Sequence, residues 1–244
     1  MTLRVGLTGA SRGLGRAMAE WMLAEGMHVV GVAREARSVR DLLEAHPKRF
    51  GAVACDLSAA MDRSGVVSRV VSCLGGLDLW INCAGIADHG PLETMSTAQL
   101  RDQMEVNFFA ALDLSRQAIA PMRRNESGGQ IIQVASTLGI RPAPGTGAYA
   151  ASKAALLSAT QTLALEHAEE NIRINAIAFG VMDTDMIKRP RGEKSAEEVR
   201  ADLEGQHPIG RLGTPKDAIE ALQYLLGADY ATGTVLTVDG GLLL

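Results

Sequence analysis

The stretch "VGLTGASRGLGRAMAE", Val5 to Glu20, decides the fold, and its glycines satisfy two patterns at once. Gly9, Gly13 and Gly15 can form a turn whose backbone holds a dinucleotide phosphate. Gly9-Ala10-Ser11-Arg12-Gly13 also spells G-x-S-x-G, the turn on which a hydrolase presents its nucleophilic serine. The surroundings separate the two. A hydrolase takes part of its oxyanion hole from a loop upstream of the serine and orders serine, acid and histidine along the chain. Ser11 follows only one strand, and none of the five histidines (His28, His46, His89, His167 and His207) stands in a motif that would make it a base.

The phosphate reading asks for a strand before the turn, a helix N-terminus after it, and a ribose-reading residue about 20 positions on. The second apolar run, "MHVVGVAR", ends at that distance with Ala33 and Arg34. No carboxylate stands there to accept from a free 2′-hydroxyl. Arg34, with Arg12 in the loop and Arg37 nearby, suits a 2′-phosphate dianion instead, which favours NADP(H) over NAD(H). The glycine spacing is G-x-x-x-G-x-G, a weak signal alone that the downstream residues strengthen.

Seven runs, "LRVGLTG", "MHVVGVA", "FGAVACD", "LDLWINC", "GQIIQVAS", "NIRINAIAF" and "GTVLTVDGG", are apolar without polar alternation and are separated by helical patterns. Such runs suit a parallel sheet covered on both faces, and strict alternation with helices implies a Rossmann-type, doubly wound α/β fold with seven parallel strands. Ser96 with Gln99 forms a capping box before a helix reaching about Met122; Ser195 with Glu198 opens a shorter one, and Thr214-Pro215 opens another.

The 244 residues, 47% of them hydrophobic, suit one domain spanning residues 1–244. A net charge of −4 gives no footprint for nucleic acid, and no apolar run is long enough for a membrane span. Cys55, Cys73 and Cys83 form no C-x-x-C pair, so they read as buried apolar side chains, with neither a disulfide framework nor a metal site expected. The N-terminus lacks signal-peptide character, which points to the cytoplasm. The polar segment 183–207 is a candidate lid over a site, with a basic group, Lys188, Arg189 and Arg191.

The chemistry lies in "VASTLGIRPAPGTGAYAASKAAL". Tyr149 and Lys153 stand four apart in a helical pattern and share a face. A tyrosine titrates near pH 10, too high for proton transfer at neutrality, and a neighbouring ammonium should lower that value. Ser136 ends an apolar strand at the edge where ligands bind, and its hydroxyl can hold a substrate oxygen.

These residues together resemble the short-chain dehydrogenase/reductase family over nearly the whole chain. "TGASRGLG" looks like its cofactor loop and implies cofactor contacts from Gly9, Ser11, Arg12, Gly13, Leu14 and Gly15. "CDLS", with Asp56 and Leu57, resembles the segment beside the adenine, and "NCAG", with Asn82, Ala84 and Gly85, is similar to the family's N-N-A-G except at Cys83. Asn107 in "EVNFFAA" matches the asparagine that completes a tetrad with Ser136, Tyr149 and Lys153. "NIRINAIAFGVMDTDM" resembles the segment bordering the nicotinamide, implying contacts from Gly180 and Thr184, and the family usually has Pro where Phe179 stands. The turn there differs, or an aromatic wall is added.

The resemblance implies an NADP(H)-dependent oxidoreductase acting on a small ketone or secondary alcohol. Tyr149 would transfer the proton, Lys153 would lower its pKa and bind the nicotinamide ribose, Ser136 would orient the carbonyl, and Asn107 would hold a relay water. A homotetramer, or a dimer, through the two long helices is also implied. Among the relatives, 3-oxoacyl-carrier-protein reductases present arginines to an acidic carrier; Glu170 stands at one such place, and only Arg123 and Arg124 lie near the other, which disfavours a carrier-bound substrate. The alternative reading is a non-catalytic NADP(H)-binding redox sensor.

Overall fold

Each of the seven apolar runs contributes a strand to one parallel sheet in the computed structural model, which describes residues 2–185 and 195–244. The strands are β1 (Arg4–Thr8), β2 (His28–Ala33), β3 (Phe50–Ala54), β4 (Leu79–Asn82), β5 (Gly129–Ser136), β6 (Ile172–Phe179) and β7 (Val235–Val238), in the order β3-β2-β1-β4-β5-β6-β7. The chain starts mid-sheet, builds outward to β3, then restarts on the other side of β1 with β4. The loops leaving β1 and β4 therefore diverge, and they open a crevice at the carboxyl ends of the strands.

The helices are α1 (Gly13–Ala24), α2 (Arg40–Ala45), α3 (Ala60–Arg63), α4 (Val66–Leu74), α5 (Thr97–Met104), α6 (Ala110–Met122), α7 (Gly147–His167), α8 (Ala196–Gly205) and α9 (Pro215–Gly227). On one face Val5, Leu7 and Ile81 pack with Met18 and Met22 of α1 and Leu222 and Leu225 of α9. On the other, Val30, Trp80 and Ile131 pack with Val66 of α4, Leu114 of α6 and Leu163 of α7. Neighbouring residues of one strand thus enter opposite cores, which is why the runs show no polar alternation. Each large side chain removed from water in this way stabilises by roughly 1.5–3 kcal/mol.

All three anticipated helix starts are present: Ser96 with Gln99, Ser195 with Glu198, and Thr214 with Asp217 form reciprocal capping boxes. The helix expected from Ser96 to Met122 is interrupted by a π-helical segment, Glu105–Phe109, between α5 and α6. A π-turn inserts an extra residue and is stable only where its neighbours hold it.

Candidate active site

The carboxyl ends of β1 and β4 are tied together first. The Thr8 hydroxyl accepts from the backbone N–H groups of Cys83 and Ala84, both at 3.0 Å. Gly9 comes next with φ +76°, a left-handed conformation that glycine alone adopts without strain. A Cβ on Gly15 would lie 2.3 Å from the Gly9 carbonyl oxygen, so only glycine lets α1 start this close to the turn. Arg12 occupies the N-cap of α1 without a side-chain cap, leaving first-turn N–H groups for an anion. Thr184 faces this turn, 3.9 Å from where a Gly13 Cβ would stand.

The surrounding arginines divide into two groups. Arg16 pairs with Glu20 and Asp41, and Arg37 pairs with Glu35. Arg12 and Arg34 are exposed, with no hydrogen bond or ion pair from their guanidinium groups among the described residues. Asp56 accepts from the N–H and hydroxyl of Ser58, bonds that hold its carboxyl below the usual range, and the charge of Arg34 adds to the effect. Leu57 is buried, and its carbonyl accepts from Arg63. The Asn82 side chain is internal: its amide group bonds Trp80, Ser115, Gln133 and the Ala111 carbonyl. Gly180 packs on Asp239, where a Cβ would meet the backbone at 2.9 Å.

Ser136, Tyr149 and Lys153 converge where β5 meets α7. The Lys153 ammonium donates to the Val134 carbonyl at 2.8 Å and lies 5.7 Å from the Tyr149 ring centroid. The Ser136 hydroxyl is close enough to the Tyr149 phenol to oppose the rise in its pKa, and its Oγ accepts from the Leu138 N–H at 3.2 Å. A Cβ on Gly85 would stand 3.2 Å from Asn107 Oδ1 and 3.8 Å from Lys153 Nζ, so these residues surround one point.

The electrostatics correct one expectation. Removal from water pushes Tyr149 up to about 12, against the opposing Ser136 hydrogen bond, whereas the sequence reading has Lys153 lower it. Burial likewise brings Lys153 down to about 8. Desolvation, which disfavours the charged form of each, is the largest cause of both shifts.

Asn107 is 1% exposed, and its side chain is fully engaged. Oδ1 accepts from the Ile86 N–H at 2.9 Å, while Nδ2 donates to the Ile86 carbonyl at 2.9 Å and to the Ser152 hydroxyl at 3.1 Å. The side chain thereby fixes the π-turn. Cys83, read from sequence as a small apolar side chain, is electrostatically coupled to Tyr149 and Lys153, and burial pushes its thiol up to about 12. The available signal was its departure from the family's second asparagine.

The Phe179 ring is 3% exposed within the core under α1 and α9, so no aromatic wall is added to the site. Arg141 donates to the Leu242 carbonyl and thereby fixes the loop between Ser136 and Tyr149 to the C-terminal turn. Of the candidate lid, 183–185 and 195–207 are described: Asp183 pairs with Arg200 of α8 at 2.8 Å, and Val199 and Leu203 pack on Leu212. Lys188, Arg189 and Arg191 lie outside the described residues. Among the described residues there is no group of three His, Cys, Asp or Glu side chains suited to a metal, and no helix is long and apolar enough to cross a membrane.

A switch-point crevice, a left-handed glycine turn at an uncapped helix N-terminus, and a serine, tyrosine and lysine on the adjoining strand and helix define a dinucleotide-dependent oxidoreductase. The chain belongs to the short-chain dehydrogenase/reductase family, whose members use a nicotinamide cofactor. A family model described as enoyl-(acyl carrier protein) reductase matches residues 9–243. The chain is 38% identical to 3beta-hydroxysteroid dehydrogenase 1 of Eggerthella lenta, over 98% of this chain and 92% of that protein. It is 32% identical to the 3-oxoacyl-[acyl-carrier-protein] reductase of Bos taurus, over 97% and 96%. Among solved structures, Thermoplasma acidophilum aldohexose dehydrogenase superposes with a TM-score of 0.88 at 28% identity, over 99% of this chain and 94% of that one. A 4-hydroxyisoleucine dehydrogenase complexed with NADH and succinate superposes with 0.87 at 26%, over 98% of each.

Proposed function

We propose that the protein is an NADP(H)-dependent reductase of ketones, or dehydrogenase of secondary alcohols, working through Tyr149, Lys153, Ser136 and Asn107. The observation that carries this reading is the convergence of Ser136 and Lys153 on Tyr149 beside the glycine turn. The residues fit a dinucleotide: glycines at 9 and 15 let the turn, Ala84 and α1 pack closely enough to form a cradle at an uncapped helix N-terminus, with Thr184 near Gly13. Gly9, Ser11, Gly13, Leu14 and Gly15 would hold the pyrophosphate, Asp56 and Leu57 the adenine, Ala84 and Gly85 the ribose beyond it, and Gly180 and Thr184 the nicotinamide. Unpaired Arg12 and Arg34 would hold the 2′-phosphate and so select NADP(H). The bound nicotinamide supplies or accepts the hydride.

The protein's own part is protonic and positional. Ser136 donates a hydrogen bond to the substrate oxygen. Tyr149, a protonated phenol at neutral pH, gives its proton to the oxygen as it gains charge, and Lys153 stabilises the phenolate left behind. Asn107 holds the π-turn so that its backbone can hold a water that returns the proton.

Two observations bear on the partners. Arg123 makes a bidentate pair with Glu170 at 2.7 and 2.9 Å, so one of the two arginines available to an acidic carrier is neutralised internally. This supports a free substrate, and the hydroxysteroid dehydrogenase relative makes a bulky apolar secondary alcohol an early choice of substrate to assay. Phe108, Leu112 and Ile119, with Ala155, Ala159 and Leu163 of α7, line an open groove of about 750 Å³. A second copy presenting the same two helices would bury it, giving a dimer and, by a further interface, a tetramer.

Cofactor oxidation with NADPH and NADH against ketones, hydroxysteroid oxidation products and a 3-oxoacyl thioester tests the proposal. NADPH-dependent turnover that is abolished in Tyr149→Phe is expected. Cofactor binding without turnover on any substrate would favour the sensor.

A further inference from the structure

Arg63, the last residue of α3, is 3% exposed, and its charge is met on several sides. Nη2 lies 2.6 Å from Glu105 and 3.0 Å from Asp113, Nε donates to Asp113 at 3.1 Å, and Nη1 donates to the Leu57 carbonyl at 2.7 Å. Its own carbonyl accepts from the Gln117 side chain at 3.0 Å. A buried guanidinium is retained at a desolvation cost that only such complete pairing offsets. The three elements it joins are the segment after β3 with Asp56 and Leu57, the π-turn beginning at Glu105, and α6. The π-turn is thus clamped twice, through Asn107 to Ile86 and Ser152 on one side and through Glu105 to Arg63 on the other.

We infer that Arg63 is a positioning residue that couples the adenine end of the cofactor site to the Asn107 π-turn. The coupling rests on the proposed dinucleotide occupancy of the crevice. A ligand that orders Asp56 and Leu57 stiffens the Leu57 carbonyl against Arg63, and the same planar fork carries that order to Glu105, two residues before Asn107. Lysine, with a single ammonium, cannot hold the carbonyl and both carboxylates in one plane.

The test uses adenosine 2′,5′-bisphosphate, which offers the adenine end and 2′-phosphate without nicotinamide. Its affinity is measured by calorimetry, and its effect on amide hydrogen exchange is followed in peptides covering residues 104–112. In the wild type the probe is expected to slow exchange there. In Glu105→Gln and in Arg63→Lys it is expected to bind with similar affinity while the slowing is lost, and kcat with a ketone should fall roughly 2- to 30-fold with a nearly unchanged KM for NADPH. Glu105→Gln keeps the Arg63–Asp113 pair, so it remains informative if the arginine variant folds poorly. Slowing that persists in both variants, with kcat intact, would overturn the coupling and leave Arg63 a structural residue. A folded wild type that binds neither this probe nor AMP would remove the dinucleotide reading, and the coupling with it; binding of AMP alone would overturn only the choice of NADP(H), and the exchange test then runs with AMP.

Discussion

The Asn107 amide donates to the Ser152 hydroxyl at 3.1 Å, which fastens the π-turn to α7 one residue before Lys153. Ser152 in turn donates to the Tyr149 carbonyl at 2.7 Å. Asn107 is thereby linked, through one buried serine, to the backbone of Tyr149.

Asn107→Ala should act on stability and rate together. It strips partners from the Ile86 backbone and from a fully buried serine, each worth about 1 kcal/mol net and more where a donor is left unsatisfied. A loss of roughly 2–4 kcal/mol in denaturant unfolding is expected, with a fall in kcat per folded molecule. An unchanged unfolding midpoint would show that the π-turn is held without the side chain.

The direction of the pH dependence is set by burial. With Tyr149 pushed up to about 12 and Lys153 down to about 8, reduction draws on a protonated phenol and a charged lysine. The reduction rate should be flat through neutrality and fall as pH rises through the lysine value. Oxidation begins from the phenolate and should rise from neutral pH until the lysine loses its charge. A reduction rate that climbs into alkaline solution would contradict the assignment.

Cofactor choice is expected to rest on Arg12 and Arg34. Arg34→Asp removes a charge-assisted contact worth ~1.5–3 kcal/mol, so the KM for NADPH should rise roughly 10- to 100-fold while NADH improves. Equal KM shifts for the two cofactors would place Arg34 outside the 2′-phosphate site.

Ala159→Glu puts a carboxylate into the apolar groove between α6 and α7. Sedimentation velocity should show a smaller assembly than the wild type. An unchanged sedimentation coefficient would move the interface elsewhere.

Thiol reactivity should separate the cysteines. Cys73 is exposed, contrary to the buried apolar reading of all three cysteines, whereas burial pushes Cys83 up to about 12 and leaves almost no thiolate at neutral pH. Iodoacetamide treatment and peptide mapping should find Cys73 modified first, with activity retained. Early loss of activity with Cys83 labelled would reverse this.

The sheet and its helix starts were legible because they depend on local signals: unbroken apolar runs, and serine or threonine three residues before a side chain that caps in return. Spacing and the family motif pointed to Ser136, Tyr149, Lys153 and Asn107, which the fold gathers around the end of β5 and the start of α7. What escaped depended on long-range contacts. The π-turn has no compositional mark, since its extra residue is held by Ile86, Ser152 and Arg63 from distant segments. The internal bonds of the Asn82 side chain were likewise invisible in its motif, because the partners of its amide lie on β4, β5 and α6. The Tyr149 shift was misjudged because spacing reveals the neighbouring charge but not the loss of water.

The contact between Gly15 and the Gly9 carbonyl has a thermodynamic consequence. Because α1 seats directly on the turn, the loop gives up its conformational entropy when the chain folds and has little left to lose when an anion arrives. Folding free energy, not ligand binding, orders the donors. A substitution that lowers stability far from the crevice should therefore reduce the number of competent molecules while leaving the affinity of each one for its dinucleotide unchanged.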